Sequence, residues 1–184
     1  VYLVAQPGSF IHPSMPVLYL SSGQESSICT DLLETIIVSD VRSFAQDPRF
    51  CLSVMAEIAC RALSPAVNDP GTAIDVIGRG VRILSAYAQN KIDETEVIYP
   101  SVHVAPLQIK DLLEDFFLPV ARDGASMREI QIRVLKGLSM LSKGWPGMFA
   151  EAAHILASET LEHATRTGHI AHDEYLIKSD RKST

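Results

Sequence analysis

Ser64, Asn68, Asp69 and Thr72 fall within nine residues of one another and carry the groups a ligand-binding or catalytic loop would use. The local grammar is that of a helix break and restart. Pro65 cannot continue the preceding helix and disfavours helical angles at Ser64. Asn68 tolerates left-handed backbone angles, and Asp69-Pro70 reads as N-cap followed by N1. A helix N-terminus attracts anions, and Arg42 or Arg61 would supply a guanidinium for the same ligand. Against this, an N-cap carboxylate at Asp69 already places a negative charge where a phosphate would sit. A polar network fixing two helices, or a subunit contact, accounts for the same residues. Asp47-Pro48 repeats the cap grammar one helix earlier.

Other constellations are weaker. His169 and His172, with Asp173 and His163 nearby, have a spacing that would align imidazoles on a helix, but Gly168 and the polar surroundings favour a solvated terminus over a metal site. Ser64 lacks a nucleophile-elbow pattern and a glycine-rich oxyanion loop, so no catalytic residue is assigned. Glu57 and Arg61 have the i, i+4 spacing of a helical ion pair. Trp145, between Gly144 and Pro146, should pack over a helix junction. No cofactor motif is present.

The chain has 184 residues, 47% hydrophobic and 21% charged, enough for one globular domain without disulfides or metals. A net charge of −6 argues against a nucleic-acid partner. Cys29, Cys51 and Cys60 are odd in number and lack metal-type spacing. On one helix, Cys51 and Cys60 would stand ~13 Å apart, too far to bridge. Reduced cysteines in a reducing compartment are the simpler expectation. No run of 18 apolar residues spans a membrane. The chain begins at Val1, without methionine and inside a strand-like run, and so reads as a fragment.

The positioning elements are a small N-terminal β unit and a helical remainder, an α+β arrangement that is mainly α, with five or six helices in a bundle-like domain. The expected divisions are 1–45 for the β unit with a short helix, 46–178 for the helical domain, and 179–184 for a tail. Val1–Val4 and Val17–Leu20 read as strands, separated by turns at Gln6-Pro7-Gly8-Ser9 and Pro13-Ser14. The unit is like half of a barrel-sandwich motif without its carrier lysine. Thr35–Val38 is β-branched enough for a strand, with a single helix over 26–45 as the alternative.

Helices are expected over 48–63, 70–89, 108–123, 126–142 and 146–166. Ser126 and Glu129 would form a capping box. Gly78 and Gly80 weaken the second of these helices, which implies a close neighbour there. Val97–Val104 reads as an extended segment or β-arm. The stripe of Ile109, Leu112, Leu113 and Phe116 is wide, and Phe117 falls off its inward line, which points to a shared face and a homo-oligomer.

Arg42-Ser43-Phe44-Ala45-Gln46-Asp47-Pro48-Arg49-Phe50, then Glu57-Ile58-Ala59, then Arg61 through Ala73, resembles the signature core of a family of predicted bacterial membrane proteins, domain of unknown function 2254. Gln6-Pro7-Gly8-Ser9-Phe10-Ile11 resembles the Pro-Gly-Asp-Phe-Val turn that precedes that core, with Ser9 in place of Asp. Cys51 stands where a glycine is common. The resemblance is specific between about 40 and 85. It implies a parent protein of the bacterial inner membrane, anchored through an N-terminal region, of which this chain is the C-terminal soluble domain. It implies no reaction. The matched positions Arg42, Asp47, Arg61, Ser64, Asn68, Asp69 and Thr72 are the candidates for a shared ligand-binding or structural polar hub. The resulting expectation is a non-enzymatic, cytoplasm-facing domain for assembly or gating. A small-ligand or anion sensor, or an enzyme, using Ser64–Thr72 is the alternative.

Overall fold

A computed structural model describes residues 1–21, 26–90 and 98–166. The chain divides into two compact units, Val1–Phe50 with Asp93–Pro106, and Cys51–Ile92 with Leu107–Thr184.

The first unit holds a three-stranded sheet of order β2-β1-β3, made of β1 (Tyr2–Leu3), β2 (Leu18–Tyr19) and β3 (His103–Val104), with helix α1 (Ser26–Glu34). β2 lies antiparallel to β1, and β3 lies parallel to it, pairing Tyr2 with His103. The Tyr2 and His103 rings stack at 4.6 Å, and Gln6 Nε2 donates to Ala105 O at 2.7 Å. Of the extended segment or β-arm expected over 97–104, only His103–Val104 forms a strand, the third of the sheet, and Val97 lies outside the described residues. The strand expected at Thr35–Val38 does not form; α1 ends at Glu34, and the next residues are irregular. The continuous helix over 26–45 is absent for the same stretch.

The second unit is helical: α2 (Pro48–Leu63, beginning in the first unit), α3 (Pro70–Gln89), α4 (Ile109–Asp123), α5 (Arg128–Gly144) and α6 (Pro146–Arg166). Each follows its apolar period. Leu52, Ala56, Ala59 and Leu63 of α2, Ala73, Ile77, Val81 and Leu84 of α3, and Phe149, Ala153 and Leu156 of α6 are buried in one core. α5 packs against α6 and α3, and α4 against α6. Trp145 closes α5 and meets the Phe149 ring edge-on at 6.5 Å, over the junction as expected.

Three expectations need correction. Phe117 is fully buried beside Phe116, their rings edge-on at 4.8 Å, because α4 is covered by α5 as well as α6. The wide stripe is thus satisfied within the monomer and offers no shared face. Ser126 does not cap α5. The helix starts at Arg128 after Met127, which places Glu129 one position short of a capping box. Gln131 ties down the adjoining helix end: its buried amide donates to Ala121 O at 2.9 Å and to Gly124 O at 3.0 Å, the latter also accepting Met127 N at 2.9 Å. Of the two α3 glycines, only Gly80 faces a close neighbour. A Cβ there would overlap the Phe116 ring, whereas nothing lies within 4 Å of one at Gly78.

Candidate functional site

In the first unit, Asp47 is the only buried residue among those described. Its carboxylate caps α2, with Phe50 N donating to Oδ1 at 3.0 Å, while Arg42 Nε donates to Oδ2 at 2.7 Å. The Arg42 guanidinium lies 5.0 Å from the centroid of the Phe50 ring, which stacks on Phe44 at 4.6 Å. Above the pair sits the Gln6–Ser9 turn, closed by Ser9 N donating to Gln6 O at 3.0 Å. Gly8 has φ +80°, and a Cβ on it would overlap the Asp47 carboxylate. The two sequence stretches, Gln6–Ile11 and Arg42–Phe50, thus meet at one ion pair, whose carboxylate is buried and whose guanidinium is partly exposed.

The second unit holds the other five candidate residues, Arg61, Ser64, Asn68, Asp69 and Thr72. Asn68 adopts φ 48°, the left-handed turn its residue type permits. Ser64 Oγ donates to Arg61 O at 2.7 Å, Asn68 N to Ser64 O at 2.8 Å, and Asp69 N to Ala62 O at 2.8 Å. Asp69 then caps α3: Oδ1 accepts Thr72 N at 3.0 Å and Oδ2 accepts Thr72 Oγ1 at 2.5 Å. The Thr72 hydroxyl, its amide and the Gly71 amide hold the Asp69 carboxyl below the usual carboxylate range. The amides an anion would need are taken by this carboxylate. These hydrogen bonds stay inside the connection between α2 and α3.

The metal reading of His169, His172 and Asp173 lies outside the described residues. Among the described residues no group of three His, Cys, Asp or Glu side chains is placed to hold a metal ion.

A cleft of about 750 Å³ opens in the second unit between α2, α4 and α6. Glu57 and Cys60 line it from α2, Glu114 and Leu118 from α4, and Glu159 and Thr160 from α6. Glu57 belongs to this cleft and forms no ion pair with Arg61 among the described residues. Burial, and a hydrogen bond from the thiol to the Asp123 carboxylate, push Cys60 up to about 12. The thiol therefore stays protonated and is a poor nucleophile. Asp123 is itself tied to Arg122, whose Nε donates to Oδ1 at 2.7 Å. Sequence reasoning missed this cleft because its lining comes from three helices far apart in the chain. The one local signal was an acidic residue, Glu57, on a largely apolar helix.

The sequence profile of the predicted membrane proteins called DUF2254 matches residues 1–140, and the chain belongs to that family. Both the ion pair at the buried Asp47 and the capped connection at Asp69 lie inside the matched region. Three mycobacterial relatives share 61% identity over 36 residues, 20% of this chain: the uncharacterized proteins Mb1321c of Mycobacterium bovis and MT1328 and Rv1290c of Mycobacterium tuberculosis. The matched stretch spans only 7% of each relative's length. No solved structure matches the chain. No described helix is long and apolar enough to cross a membrane.

Proposed function

We propose that the chain is a non-enzymatic extramembrane domain of an integral membrane protein, serving assembly or gating of the membrane-embedded part as a homo-oligomer. The observation that carries this is the surface of the first unit. Its described residues bury a carboxylate and no apolar side chain, while Phe10 is 90% exposed, Ile37 89% and Val41 77%. Three two-residue strands without a covered apolar face make a marginal structure alone. Apolar surface of this kind marks a contact with another protein surface or a membrane. Membership of a membrane-protein family supports a tethered setting, where high effective concentration favours contact between copies. A second copy is the occupant proposed.

The alternative, a sensor or enzyme at Ser64–Thr72, is disfavoured by Asp69 itself, which occupies the amides of α3. A cytoplasmic location at the bacterial inner membrane belongs to the same proposal, supported by the free thiols of Cys51 and Cys60. Cysteine cross-linking of the parent protein in native membranes tests the assembly role, with Cys29, Cys51 and Cys60 replaced and single thiols placed at Ile37 or Val41. Dimer-sized products at these positions, and none at Arg133 on α5, support it. Full access of both thiols to a maleimide without any cross-link overturns it.

A further inference from the structure

We propose that the outer face of the α3–α5 pair rests on an anionic lipid surface. The two helices pack against each other and meet at Val81 and Gly137, where a Cβ on the glycine would stand 2.9 Å from Val81 Cγ2. That contact fixes which exposed residues are neighbours. Arg82 follows Val81, and Arg133, Lys136 and Met140 lie within about one turn of Gly137, all four exposed. Spacings of three and four residues place Arg133, Lys136, Met140 and Lys143 in one stripe along α5.

The charge is unevenly shared among the helices. α5 carries Arg128, Arg133, Lys136 and Lys143 against one acid, Glu129, whereas α6 carries Glu151, Glu159 and Glu162 against Arg166. In a chain of net charge −6, α5 is thus a basic exception. Arg82 and Arg133 have no ion-pair partner among the described residues. The acids of the two helices do not cancel them: Asp75 is held by Arg79 at 2.7 Å, and Glu129 stands about two turns from Gly137.

A second observation selects the partner. Met140, between Lys136 and Lys143, is 63% exposed, the most exposed large apolar side chain among the described residues of the helical unit. A headgroup boundary accommodates both kinds of group, with ammonium and guanidinium groups at the phosphates and the thioether below them. A nucleic-acid backbone, or an acidic face of a second copy, would use the charges and leave Met140 without a role. The family supplies the setting, since its members are described as membrane proteins. The inference rests on the extramembrane placement proposed above. Basic residues within a Debye length of an anionic leaflet are each attracted to it, and a tether lets a few such contacts suffice.

Flotation of this chain with vesicles tests the assignment. At low salt, binding is expected to vesicles of equal parts phosphatidylglycerol and phosphatidylcholine, and at least tenfold less to phosphatidylcholine alone. It should be lost at about 1 M salt, where the screening length is about 3 Å. Arg82→Gln/Arg133→Gln/Lys136→Gln should weaken it at least tenfold. Arg61→Gln/Lys110→Gln/Arg122→Gln, which removes the same charge elsewhere, should stay within threefold of the parent chain. Ile37→Ser/Val41→Ser should do the same, which separates this face from the apolar surface of the first unit. With Cys29, Cys51 and Cys60 replaced by serine, an environment-sensitive fluorophore on Met140→Cys should shift to the blue on the anionic vesicles, and one on Glu151→Cys should not. Melting curves establish that each variant is folded. No binding to anionic vesicles overturns the proposal, and self-association that persists in that case leaves the assembly reading standing. Equal binding to neutral vesicles, equal losses in the two triple variants, loss in Ile37→Ser/Val41→Ser, or unchanged emission at position 140 overturns it as well.

Discussion

Gly8 and Asp47 are far apart in sequence, yet the glycine's open face lies directly against the aspartate's carboxylate. A Cβ at position 8 would overlap Asp47, and φ +80° independently disfavours any L side chain. The turn can therefore close over the Arg42–Asp47 pair only with glycine at this position. Gly8→Ala must open the turn or displace the ion pair, and should cost about 1–3 kcal/mol. Amide hydrogen exchange reads this separately in each unit. Faster exchange is expected at Phe50 N, which donates to Asp47, with Ile130 in the helical core unchanged.

The two glycines of α3 should respond in opposite directions. Gly80→Ala drives a methyl into the Phe116 ring and should lower stability by about 1–3 kcal/mol. Gly78→Ala meets nothing within 4 Å and should raise stability by roughly 0.5–1 kcal/mol through helix propensity. Denaturant melts of the two variants check both signs.

Asp69 gives a pH signature. Its carboxyl is held below the usual range by Thr72 and Gly71, so its contribution to stability is present above the unfolded-state value and is lost as pH falls through the folded one. Asp69→Ala should melt a few degrees lower at pH 7. The gap should close as pH is lowered from about 4 downward. A gap that persists unchanged at pH 2 would mean that the charge plays no part.

Cys60 should be slow to alkylate. With the thiol pushed up to about 12, its thiolate population at pH 8 is roughly a thousandfold below that of a thiol near 9, the ordinary value. Asp123→Asn removes the carboxylate that accepts the thiol proton and should speed the reaction with iodoacetamide. Mass-spectrometric alkylation rates at Cys60, with and without that substitution, check this.

Much of the scaffold was legible in the sequence, because caps and apolar period are local. Asp47-Pro48 and Asp69-Pro70 each begin a helix where their residue types require one. Gly124 and Trp145 close helices for equally local reasons. The misread elements depended on what lay across space. Thr35–Val38 has strand-forming residues, but the third strand of the sheet comes from His103–Val104. Phe117 looked surplus along one helix, yet a second covering helix buries it. The same limit applies to the candidate residues. Arg42 and Asp47 were visible as types, but Gly8 as their lid, and the cleft holding Glu57, Glu159 and Thr160, exist only through tertiary packing.

Sedimentation velocity of this chain over a concentration series tests self-association through the first unit most directly. The predicted result is a sedimentation coefficient that rises with concentration for the parent chain. It should stay at the monomer value for Ile37→Glu/Val41→Glu, whose exposed positions allow charge without loss of folding. A monomer at every concentration, or association undiminished in the double variant, would contradict the account.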